Sequence, residues 1–242
     1  MGEAAFGAFV GAVSLLIGTE LAFLVRPGRR VIGLVMAFGA GAMISAVAYE
    51  LVLEALEGGE ILPVGLGLAL GALAFYFGNV LIERRSGAGR KRSTGQQAGG
   101  SPLAIVLGAA LDGVPESLII GLSLVVGGGV KASFIAATFI SNLPEAMAAT
   151  TGLDKAGWPR IRIRRLWLIV VAVSVVSGAI GYAAFEVLPA GAGALVQSFA
   201  AGALLTMLAD TMMPEAFEFG GNLVGLLTVA GFLTALGIAE LA

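Results

Sequence analysis

Three short stretches of this chain set acids beside a proline in otherwise apolar surroundings. They are Asp112–Glu116 (DGVPE), Ser141–Glu145 (SNLPE) and Asp210–Glu215 (DTMMPE), and each places a polar residue a few positions before a Pro-Glu pair. On a helix, residues four apart share one face about 6 Å apart along the axis, so Asp112 aligns with Glu116. Asn142 and Glu145, three apart, do likewise. Each proline lacks an N–H and frees the carbonyl four residues earlier, here those of Leu111, Ile140 and Asp210. Carboxylates, an amide, hydroxyls and freed carbonyls are hard oxygen donors, which suit Mn²⁺, Mg²⁺ or Fe²⁺, with Zn²⁺ also accepting carboxylates. The candidate metal ligands are Asp112, Glu116, Ser141, Asn142, Glu145 and Asp210, with Glu50 as a further acid in an apolar run.

The energetic setting makes this chemistry specific. The chain has 242 residues, 58% of them hydrophobic and only 12% charged, and a mean hydropathy of +0.97. Soluble domains carry about twice that charged fraction, so the composition is that of an integral membrane protein. An ionised carboxylate near a bilayer centre costs about 2.5–3.5 kcal/mol. Five of them would cost on the order of 10–15 kcal/mol, as much as a whole fold is stable by. Such acids must be protonated, hydrated or bound to an imported cation. The chain has neither Cys nor His, which excludes disulfides, thiolate or imidazole metal ligands and a Ser-His-Asp site. Its basic residues form only short loop clusters, not a nucleic-acid-binding face.

Eight stretches are long enough to cross a bilayer as helices, at about 4–26, 31–53, 61–83, 102–125, 131–153, 165–188, 191–216 and 221–241. The first carries Glu3 and Glu20 and has no basic leader, so it reads as a span rather than a signal peptide. The expected fold is an all-α, single transmembrane domain over residues 1–242, with a flexible, polar, glycine-rich loop at 84–101. All of the 14 basic residues except Lys131 fall in the first, third and fifth loops, so the positive-inside rule makes those loops cytoplasmic and both termini extracytoplasmic. Glu20, Glu83, Glu186 and Glu240 fall near span ends, where interfacial acids are ordinary.

Internal symmetry adds a further expectation. Phe38–Ala55 (FGAGAMISAVAYELVLEA) aligns without gaps on Phe199–Ala216 (FAAGALLTMLADTMMPEA), matching Gly41 to Gly202 and Glu54 to Glu215. Spans two and seven run in opposite directions. The chain thus reads as a 3+2+3 arrangement, with inverted repeats in spans 1–3 and 6–8 around a central pair, a plan typical of secondary transporters.

This pattern resembles the ZIP (Zrt/Irt-like) divalent metal transporters along nearly the whole chain, most specifically at Asp112–Ser117 and Ser141–Ala146. In that family span four typically reads His-Asn-x-Pro-Glu-Gly and span five His-x-x-Pro-Glu, and these residues form a binuclear site midway across the membrane. By position, Asp112 stands where the family has its His, Gly113 where it has Asn, and Glu116 at its Glu. Ser141 replaces the usual His or Gln, Asn142 occupies an acid or amide position, and Glu145 matches the Glu. Asp210 and Glu215 match in span seven while Thr211 replaces a Glu, and Glu50 falls where relatives often carry a small polar residue. The resemblance implies a transporter in the cell membrane that carries Zn²⁺, Fe²⁺ or Mn²⁺ as substrate toward the cytoplasm, and a homodimer surrounded by lipid. It implies no enzyme activity and no resident cofactor, and no Walker-type phosphate loop is present. Two other readings remain: a metal-binding sensor or scaffold that does not transport, and an intramembrane aspartyl enzyme using Asp112 and Asp210.

Overall fold

The computed structural model describes residues 1–86, 113–122, 132–187 and 192–241, and no strand occurs among them. Helix α1 is Gly2–Val25. Helix α2 starts as Arg29–Ala46, passes through a π-helical segment at Val47–Leu53 and ends as Glu54–Gly58. Helix α3 is Ile61–Ser86, α4 Gly113–Leu122, α5 Ala132–Lys155 and α6 Arg160–Glu186. Helix α7 runs as Ala192–Met207, a second π-helical segment Leu208–Met212 and Met213–Gly220, and α8 is Val224–Leu241. Among the described residues, five stretches are long and apolar enough to cross a membrane: Gly2–Val25, Arg29–Gly58, Ile61–Leu81, Arg160–Ala184 and the run Ala192–Leu241. The described chain is therefore an all-α protein with membrane-spanning character.

The helices overrun the expected ends. Helix α6 starts at Arg160, so Arg160–Arg165 form its first turns rather than a loop. Helix α3 continues through Arg84 and Arg85, so the polar segment begins no earlier than Gly87, and the rest of it lies outside the described residues. Glu54–Gly58 extends α2 where the apolar pattern predicts a loop. Hydropathy marks the apolar slab, but a helix propagates past it until a breaker intervenes. Here the breakers are Gly58-Gly59 and Pro159. At the end of α1, Arg26 adopts the left-handed conformation (φ 47°) and its N–H donates to the Ala22 carbonyl.

Close approaches at glycines set the helix directions. Gly67 of α3 lies against Leu195 and Ser198, and Gly71 against Phe199 and Ala203, so α3 and α7 run parallel. Gly33 of α2 lies against Gly220 and Gly39 against Met212, so α2 and α7 run antiparallel. Likewise α1 is parallel to α5 (Gly11 at Thr138, Gly18 at Leu143) and antiparallel to α6 (Ala8 at Gly178, Glu20 at Arg164). Helix α4 runs parallel to α6, with Gly113 near Ser174 and Gly121 at Gly178. The 50-residue apolar run at the end of the chain is thus two helices, folded back at Gly221 (φ 66°).

Two pairs of these contacts repeat each other. A Cβ on Gly202 would enter the carbonyl of Leu68, and one on Gly41 would enter that of Thr228. A Cβ on Gly71 would strike the Phe199 carbonyl, and one on Gly231 the Phe38 carbonyl. The α3–α7 contact and the α8–α2 contact share one geometry. The two π-helical segments also fall at the same place in the aligned stretches.

The core falls into two clusters. One joins α2, α3, α4, α5, α7 and α8 around Met36, Met43, Leu51, Met207 and Met212. The other joins α1, α5 and α6 around Leu15, Leu153, Ile163 and Trp167. A buried polar chain crosses the second. Trp167 Nε1–H donates to Thr150 Oγ1 (3.0 Å), Thr150 donates to Thr19 Oγ1 (3.2 Å), and Thr19 donates to the Leu15 carbonyl (2.8 Å). Thr150→Val leaves the indole N–H without its acceptor in an apolar core, and should cost about 1–3 kcal/mol. Thr150→Ser, which keeps the hydroxyl, should stay near wild type. Thermal unfolding in detergent checks both.

Candidate metal site

The site is built around the middle of α5. Ser141, Asn142 and Glu145 lie on this helix with Pro144 between them; Ser141 and Asn142 are buried and Glu145 half-buried. Pro144 has no N–H to give, so the Ile140 carbonyl loses its helical donor. Helix α2 comes closest here because residue 39 is glycine. A Cβ on Gly39 would lie 2.9 Å from Ser141 Cα, 3.1 Å from the Ile140 oxygen and 3.2 Å from Met212 Cε. Helices α2, α5 and α7 therefore meet at the helical break.

Around it the polar atoms have defined partners. Ser141 Oγ donates to the Thr138 carbonyl (3.0 Å) and Asn142 Nδ2 donates to the Gly11 carbonyl of α1 (3.4 Å). With its amide nitrogen held by α1, Asn142 keeps its carbonyl oxygen as an acceptor. Thr138, one turn earlier on the same face, is buried, and its Oγ1 finds no hydrogen-bond partner among the described residues. Helical spacing from Asn142 would have identified Thr138 from sequence, since residues four apart share a face.

Glu116 is 2% exposed, on a helix that docks to α6 through Gly121, Gly178 and Gly181. Glu50 is 6% exposed within the π-helical segment of α2. Gln197 of α7 holds that segment, donating to the Glu50 backbone carbonyl (2.9 Å) and to Glu54 Oε2 (3.0 Å). Asp210 sits in the other π-helical segment with its side chain on the exposed face of α7, while Thr211 and Met212 turn inward. Asp112 and the Leu111 carbonyl lie outside the described residues.

Among the described residues no three acids converge in a metal-sized group. Of the predicted ligands, Ser141 and Asn142 are buried side by side on α5 with Glu145 half-buried one turn on, while Glu116 is buried on α4 and Glu50 on α2. Neither π-helical segment was legible in sequence. A proline accompanies the second but none accompanies the first, and π turns gather at functional sites without a sequence signature. Every described Lys and Arg lies near a helix end. No protein-family model matches the chain, and comparison with curated proteins returns no match.

Proposed function

We propose that this chain is a ZIP-like secondary transporter that carries a divalent metal ion, Zn²⁺, Fe²⁺ or Mn²⁺, across the cell membrane toward the cytoplasm. The observation that carries the reading is Ser141 and Asn142 buried inside an apolar helical protein, at a proline break in α5 that α2 approaches through a glycine, with Glu116 buried on α4. Oxygen donors buried in an apolar interior pair naturally with an imported hard cation. In this reading Glu116 and Glu145 supply charge, Ser141 and Asn142 supply neutral oxygens, and Asp112, four residues before Glu116 in the fourth span, completes the set. Asp210 and Glu50 line the route rather than hold the ion, since Asp210 is exposed and Glu50 lies in a different turn.

The eight-crossing, inverted-repeat plan belongs to the same proposal. It is supported by the alternating helix directions, by the matched glycine docking of α3 on α7 and α8 on α2, and by the paired π-helical segments. The two core clusters supply two bodies that meet along α5, and sliding one past the other exposes the site alternately to each side. Arg26, Arg29, Lys155, Arg160, Arg162 and Arg164 gather at one end of the bundle, which the positive-inside rule makes the cytoplasmic end. Both termini then face outward, and a homodimer in lipid completes the proposal.

The test is uptake by purified protein in liposomes loaded with a trapped indicator, offered Mn²⁺, Fe²⁺, Zn²⁺ and Mg²⁺ in turn. Saturable entry of one of the first three supports the transporter. Metal binding without entry of any ion would overturn it in favour of a sensor.

A further inference from the structure

A cavity of about 470 Å³ opens at the basic end of the bundle, between the end of α1, the start of α2 and the end of α5. Its lining includes Phe23, Arg26, Arg29, Thr150, Asp154 and Lys155. Three cations and one carboxylate therefore converge on one volume. Among the described residues neither Arg26 nor Lys155 makes an ion pair, and Asp154 makes none with either. Arg29 only skirts the Phe219 ring, 5.8 Å from its centroid.

Three further features raise the potential in the cavity. Arg160 and Arg164 stack over Phe23, at 4.8 and 5.6 Å from its centroid, and only Arg164 is neutralised, by a bidentate pair with Glu20 (2.6 and 2.8 Å). Helix α2 begins at the cavity wall with Gly28 as its N-cap, and no side chain caps the first N–H groups. One side of the wall is apolar, from Ala22, Phe23 and Pro27, and Thr150 and Thr151 line another.

We infer that this cavity binds a phosphate-bearing anion, with Arg26, Arg29 and Lys155 as its cationic contacts. Arginine forks and a lysine point charge are the side chains that phosphate oxygens favour, and the free end of α2 adds backbone donors. The volume falls in the range of pockets that hold whole ligands. A charged floor beside an apolar wall suits the headgroup of an anionic phospholipid, and a free phosphate ester offers the same charged group. Basic pockets between membrane helices on the cytoplasmic side commonly take such headgroups. This inference does not depend on metal transport.

The experiment is native mass spectrometry of the full-length protein in detergent, offered phosphatidylglycerol, phosphatidylcholine or inorganic phosphate. Wild type should retain phosphatidylglycerol over phosphatidylcholine. The double variant Arg29→Gln/Lys155→Gln should lose about thirtyfold in affinity, for two cations at the membrane surface. Thr151→Trp, which fills the cavity without changing charge, should lose binding equally, and it reports even if the double variant fails to fold. Arg30→Gln/Arg162→Gln removes the same charge from the same end outside the cavity and should bind like wild type. Displacement of the lipid by millimolar inorganic phosphate would identify a free phosphate ester as the ligand, and resistance to it would identify the headgroup. Equal losses in both double variants, undiminished binding in Thr151→Trp, or no preference for the anionic lipid would each overturn the inference.

Discussion

Glu116→Ala and Glu145→Ala should each reduce metal entry into liposomes to the protein-free background. The two carboxylates supply the charge that a divalent ion must find when it sheds water inside a low-dielectric core. Neutral oxygens matter less. Ser141→Ala and Asn142→Ala should weaken the metal by about 10–100-fold, the range seen for groups that support a metal rather than carry its charge. Stability provides the control that separates function from folding. Glu116 is buried, and Glu116→Gln keeps its size while removing its charge. That variant should melt near the wild-type temperature while losing uptake. Full uptake by Glu145→Ala would sink the transport site as drawn.

The second large effect concerns folding. Gly41→Ala and Gly202→Ala each push a methyl into a backbone carbonyl, of Thr228 and Leu68 respectively, and backbone cannot yield as a side-chain tip does. Overpacking of this kind costs about 1–3 kcal/mol, and the two costs should match because the two contacts share one geometry. A methyl on Gly65 or Gly237 would meet nothing within 4 Å, so alanine there should be neutral or stabilising by about 0.5–1 kcal/mol. Melting curves of the four variants in one detergent decide the matter. A large loss at one position of the pair and none at the other would break the proposed internal symmetry.

Hydropathy located the apolar stretches because membrane burial acts on composition, and the described helices fall where it put them. It missed how far α2, α3 and α6 run beyond the slab, since helix ends depend on breakers and caps rather than on apolarity. The Gly41–Gly202 alignment reported shared small residues but not what they touch. Only the packing reveals that each meets a carbonyl of a neighbouring helix. At the site, Pro-Glu spacing singled out Glu116, Asn142 and Glu145 as inward candidates, and Glu116 and Asn142 are buried. The same reasoning could not tell that Asp210 faces outward while Thr211 faces in. A π-helical segment shifts the face on which each following residue lies, and α-helical spacing cannot anticipate that shift.

Those two π-helical segments also bear on the gene. Each holds one residue more per turn than an α-helix needs, so the surplus residue can be deleted while both flanks keep their orientation. Loss of the codon for Ala48 or Ala209, both small and exposed, should leave a monodisperse, folded protein. Loss of the codon for Ala37, in the regular part of α2, would instead rotate everything after it by about 100° and bury the wrong face. One codon in each half of the gene is thus expendable, and single-residue length differences should be tolerated there before anywhere else in these helices.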